Sequence, residues 1–177
     1  MHFNPYGEHA VLLAVDLLRD LPHTGADLQS RCEEAGLTVD MPGTDADVAE
    51  VAEFLEQWVA VVDAGTEQER ADALNVLLES SSTRPRLTDH AGDGWHLHYR
   101  ETGLRLSEQL RSLISVGTAL HLVGRGMQRL GRCASPECGL PYADVTRNGR
   151  QRYCSHPCAN RDAVRRHRAK SASTPTV

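Results

Sequence analysis

Four of the five cysteines in this 177-residue chain fall within 26 positions, as Cys133-x4-Cys138 and Cys154-x3-Cys158 with fifteen residues between the pairs. Thiolates are soft donors, and two close pairs, each presented by a turn, can close a tetrahedral shell around one metal ion. A shell of four sulfurs leaves no position for water, so the chemistry on offer is structural and not catalytic. One Zn²⁺ per chain is the expected cofactor, held by Cys133, Cys138, Cys154 and Cys158, with His156 as the alternative fourth ligand. Disulfides are the competing use of clustered cysteines and belong to oxidising compartments. The stretch from Met1 to Glu8 is polar and holds Pro5 and Gly7, unlike an export signal, so a cytoplasmic chain is expected. No apolar run approaches the ~20 residues of a membrane span, and no membrane partner is expected.

Charge is divided as unevenly as cysteine. Residues 129–170 carry ten Lys/Arg against three Asp/Glu, a net +7, while the remainder carries nine against 21, a net −12. A basic module approaches a polyanion and an acidic body does not. Arg161, Arg165 and Arg168 recur at helical spacing after the last cysteine, with Arg166 and Lys170 beside them. Arg147, Asn148, Arg150 and Arg152 belong to the segment between the pairs. Such a stripe suits phosphate contacts, and Asn160 and Arg161 have the donor patterns that read adenine and guanine. The expected partner is nucleic acid, bound in the region of the metal.

The elements that must position these residues follow from periodicity. Apolar stripes and caps predict helices over Glu8 to Leu21, Ala26 to Ala35, from Thr44 or Asp45 to Gly65, and from Thr66, with Glu69 completing a capping box. Arg84 to Thr88 and Trp95 to Arg100 read as two strands around the turn from Asp89 to Gly94. A long helix is predicted from Leu104 to Gly124, with Gly117 marking close packing. In the cysteine segment, Ser135-Pro136-Glu137 makes a turn, and Tyr142 to Val145 and Arg150 to Tyr153 are predicted to pair around Arg147-Asn148-Gly149. A helix then opens at Ser155, with Pro157 in its first turn. The fold class is α+β: a mostly helical N-terminal domain with a small β-hairpin or sheet, followed by a treble-clef-like zinc finger with four cysteine ligands. Cys32 is expected to be a buried small side chain. Trp95, His96 and His98, on or beside one strand face, are the candidate residues for a small-molecule site. No nucleophile elbow, phosphate loop or metalloprotease signature is present, so an enzyme is not expected.

The run Tyr142-Ala143-Asp144-Val145-Thr146-Arg147-Asn148, the later Arg152-Tyr153-Cys154-Ser155, and Cys158-Ala159-Asn160-Arg161 resemble the CGNR zinc finger. Ala14-Val15-Asp16-Leu17-Leu18, the strand-turn-strand and the long helix resemble the ABATE domain that precedes that finger in bacterial stress-induced transcription regulators. Two departures stand out: Ala159 where the finger's name has Gly, and Arg19-Asp20 where related chains carry Asn-Thr. The resemblance implies DNA as the nucleic acid, a nucleoid location, and an N-terminal domain that senses a small-molecule effector or dimerises. The implied organisation is a domain over 1–128, a finger over 129–170 and a disordered tail over 171–177. The alternative is a zinc-stabilised interaction module whose basic finger docks on an acidic protein or on its own acidic domain.

Overall fold

Three helices begin where a threonine takes up amides that have no partner within the helix. The structure, a computed structural model, describes residues 7–89 and 95–172, with the backbone alone at positions 96, 170 and 172. Helix α1 spans Glu8–Arg19, α2 Gly25–Glu34, α3 Asp45–Asp63 and α4 Glu67–Ser81. Thr24, Thr44 and Thr66 cap α2, α3 and α4, each accepting from the amide three residues on. Asp47 and Glu69 return bonds to the Thr44 and Thr66 amides, completing two capping boxes.

Strands β1 (Arg86–Thr88) and β2 (His96–His98) pair antiparallel, with Leu87 opposite Leu97. They are shorter than the expected 84–88 and 95–100, and residues 90–94 of the turn between them lie outside the described residues. Helix α5 (Leu106–Arg125) is the centre of the bundle and packs on α1, α3 and α4. Val11, Leu17, Phe54, Trp58, Leu110 and Ile114 fill the core, and the Trp58 indole N–H donates to Thr118 Oγ1 at 2.9 Å. Gly117 marks the closest approach as expected, since a Cβ there would stand 2.3 Å from that of Ala10 on α1. Cys32 is buried, and burial pushes its thiol up to about 12.

The C-terminal end of α3 is closed by α4. Arg70 is buried and donates through Nε to Val61 O at 2.9 Å and through Nη2 to Val62 O and Ala64 O at 3.0 and 3.1 Å. Its Nη1 donates to Met127 O. One guanidinium thus satisfies carbonyls that a helix end leaves without partners.

The last strands correct an expectation. β3 (Leu130–Arg132) pairs antiparallel with β4 (Pro141–Ala143), so the hairpin encloses the first cysteine pair. Residues 150–153, expected as a strand beside 142–145, are not one. The polar groups of the Asn-Gly segment go to side chains instead. Asp144 is buried and accepts from Thr146 N, Thr146 Oγ1 and Gln151 N at 2.9, 2.5 and 2.9 Å. The Arg129 guanidinium donates to Thr146 O at 2.6 Å and lies against Gly149, whose φ is 63°. The Asn-Gly turn therefore closes a side-chain-held loop and not a ladder.

β3 and β4 pack on α3 and α1, with Leu130 and Ala143 inside the same core as the helices. Arg132 grips Asp63 with Nε and Nη2, each 2.7 Å from a carboxylate oxygen. The sequence boundary at 128 and 129 is thus no gap in space. Helix α6 (His156–Ala172) differs, because it has no extensive packing on any described helix or strand. It begins at Ser155, whose Oγ accepts from Cys158 N at 3.4 Å, as the sequence suggested. It runs through Ser171 and Ala172, positions assigned to the tail, and 173–177 lie outside the described residues.

Candidate metal centre and nucleic-acid interface

The β3–β4 hairpin presents Cys133 and Cys138 at its tip, where Cys133 N bonds to Leu140 O and Cys138 N to Ser135 O at 2.9 and 3.0 Å. A bond from Ala134 N to Arg152 O, 2.7 Å long, draws in the chain that leads to Cys154. Cys158 comes from the first turn of α6. The four sulfurs all lie within 4.8 Å of one another. Cys154 Sγ is 3.5 Å from that of Cys138 and 3.7 Å from that of Cys158. A tetrahedron of thiolates with Zn–S near 2.3 Å has edges of about 3.8 Å, so the cage fits zinc. His156, the alternative ligand, is exposed and stands outside this cluster. Cys133, Cys138, Cys154 and Cys158 are the site of one structural Zn²⁺.

The thiols are not equivalent before the metal arrives. The Ser155 hydroxyl and the other thiols hold Cys158 down to about 7, whereas burial and neighbouring thiols push Cys154 up to about 12. Metal binding therefore releases protons. Arg161 Nη2 donates to Cys158 Sγ at 3.0 Å. A residue expected to read bases thus supports a zinc ligand.

Asp162 and Asp144 were not singled out by the sequence, although a basic module with three acidic residues gives reason to ask what each does. Asp162 is buried beside the metal centre. It accepts from the Tyr153 hydroxyl at 2.5 Å and from Arg165 and Arg166 at 2.5 and 3.0 Å. These donors hold its carboxyl below the usual range. Arg165 and Arg166 remain more than half exposed while so aimed.

Arg147, Asn148, Arg150, Arg152, Asn160, Arg161, Arg165, Arg166 and Arg168 are all exposed, and the Lys170 side chain lies outside the described residues. Seven of them fall in two places. Arg147, Asn148 and Arg150 sit on the loop held by Asp144. Asn160, Arg161, Arg165 and Arg168 line one side of an open groove of about 510 Å³, whose other side is Ser135, Pro136 and Glu137. Trp95, His96 and His98 lie on and beside β2. Trp95 is 73 % exposed, and the His96 side chain lies outside the described residues. Among the described residues, the four cysteines are the group able to hold a metal ion.

The comparisons with known proteins agree with this layout. The CGNR zinc finger model matches residues 129–171, and the ABATE model, described as "Putative stress-induced transcription regulator", matches residues 12–130, more than half of the chain. The chain belongs to the ABATE family. No curated protein matches it. In this ABATE chain the finger's signature is Cys158-Ala159-Asn160-Arg161. Ala159 is helical, its amide bonding to Ser155 O at 3.1 Å, so alanine suits the position better than glycine by about 1 kcal/mol. The second departure has a partner in the finger, since Arg19 Nη2 donates to Cys154 O at 3.2 Å. Among the described residues of the ABATE chain, no helix is long and apolar enough to cross a membrane.

Proposed function

We propose that this ABATE chain regulates transcription by binding duplex DNA through the exposed side of α6 and the loop around Asn148. The supporting observation is the state of α6. Seventeen residues of helix stand almost free of the core, pinned by Cys158 and Asp162 at one end, with Arg165, Arg166 and Arg168 facing solvent. Most helical stability in proteins comes from packing of a face, so a helix held by metal at one end and set with arginines suits a partner that completes its packing. The major groove admits such a helix, and phosphates accept from its arginines. A closed shell of four thiolates fits a binding role and not a catalytic one.

The N-terminal domain reaches the finger through Arg19, Arg132 and the shared core, which gives an effector bound there a route to the position of α6. A dimer would supply the DNA surface that one small finger lacks. The test is binding of the full zinc-loaded chain to random duplex DNA across a salt series. Affinity falls steeply with salt, and Arg165→Ala or Arg168→Ala each lowers the slope by about one unit. Failure to bind DNA at low salt, with zinc in place, replaces this reading with docking on an acidic protein.

A further inference from the structure

Three acidic residues lie within the +7 finger, and the structure gives two of them work. Asp144 holds the Asn148 loop and Asp162 organises the start of α6, both buried and fully bonded. Glu137 is different. It is exposed at the tip of the cysteine hairpin, in a groove shared with Arg161, Arg165 and Arg168. Its carboxylate nevertheless has no ion-pair or hydrogen-bond partner among the described residues. Arg161 is turned to Cys158 and Arg165 to Asp162. A free carboxylate on a surface meant for a polyanion weakens every non-specific contact. Such a repulsive element gives specificity when one partner alone can relieve it.

We infer that Glu137 is a base-reading residue that accepts from the exocyclic amino group of a cytosine, across the groove from Asn160. This rests on the DNA-binding reading above. In the major groove the cytosine N4 amine is a donor that a carboxylate can take. Guanine and thymine present acceptors there and repel it, and adenine sets its amine beside the N7 acceptor. Asn160 opens from α6 onto the same groove and is matched to adenine. The two side chains come from different elements that line one groove, so both can address one site.

The experiment selects duplexes from a randomised library with the full zinc-loaded chain, its Glu137→Gln variant and its Glu137→Ala variant. Zinc content is measured for each. The wild type enriches a site with cytosine at one position. Glu137→Gln changes that position to adenine, because an amide accepts from N6 and donates to N7. Glu137→Ala loses about tenfold discrimination there, because only the duplexes without that cytosine gain affinity. If both variants keep the wild-type site and merely gain affinity for every sequence, Glu137 is only a repulsive charge and the inference is overturned. If the zinc-loaded wild type selects no DNA, the DNA-binding reading fails and this assignment fails with it.

Discussion

Arg161 Nη2 lies 3.0 Å from Cys158 Sγ, so an arginine from a stripe that otherwise faces solvent donates to a zinc ligand. The bond spreads negative charge away from the thiolate and fixes the side chain beside the metal. Outer-shell donors of this kind are worth about 10- to 100-fold in metal affinity. Arg161→Ala is expected to lose zinc to a competing chelator at about that much lower chelator concentration. Arg161→Lys should recover part of the loss. Unchanged metal affinity in both variants would return Arg161 to the DNA face alone.

Removing zinc should act unevenly along the chain. Leu130 and Ala143 tie the β3–β4 hairpin into the helical core, whereas α6 depends on Cys158 and its surroundings. Chelation, or Cys154→Ser, is expected to melt the 17 residues of α6 while α1 to α5 persist. Far-UV circular dichroism would show a partial loss of helix, and hydrogen exchange would confine it to residues 156–172. Global unfolding on chelation would contradict this division.

Stability should fall in two separate acid windows. His121 is buried, both ring nitrogens lack a partner among the described residues, and burial lowers its pKa below the ordinary 6.5. Glu8 on α1, Arg125 on α5, and Arg129 and Asp144 of the finger surround it. The unfolded chain then binds the proton more readily, so stability is full above pH 6.5 and declines below it. Burial opposes ionisation of Asp47 as well, but bonds from Thr44 and Ser107 overcome this and hold it at about 2 against 3.8. Its contribution is complete above pH 3.8 and is lost as pH falls towards 2. Urea titrations across pH read both windows, and His121→Leu should flatten the upper one alone.

Arg70 donates to four backbone carbonyls from a buried position. Arg70→Leu leaves the buried carbonyls of Val61 and Val62, and the half-buried one of Ala64, without their donor. The expected cost is about 3 kcal/mol or more, the range for breaking a buried network of charged hydrogen bonds. Arg132→Ala removes the exposed bond to Asp63 and should cost under about 1 kcal/mol. Thermal melts of the two variants side by side decide whether burial sets the difference.

The sequence by itself determined what depends on near neighbours. The two cysteine pairs, the caps at Thr44, Thr66 and Ser155, the stripe that buries Val51, Phe54, Leu55 and Val62, and the charge of the finger are all local patterns, and all were legible. Tertiary structure decided the rest, because the competing choices were nearly equal locally. Leu130-Gly131-Arg132 has little strand signal of its own, and it pairs with residues 141–143 because this buries Leu130 and Ala143 against the helices. The Asn-Gly turn promised a ladder, but a buried Asp144 supplied better acceptors for the same amides. No spacing rule marks Arg70 as the cap of another helix, or separates Arg161 on a sulfur from Arg168 in the groove. Those roles belong to side chains whose partners are distant in sequence or set by the angle at which α6 leaves the metal.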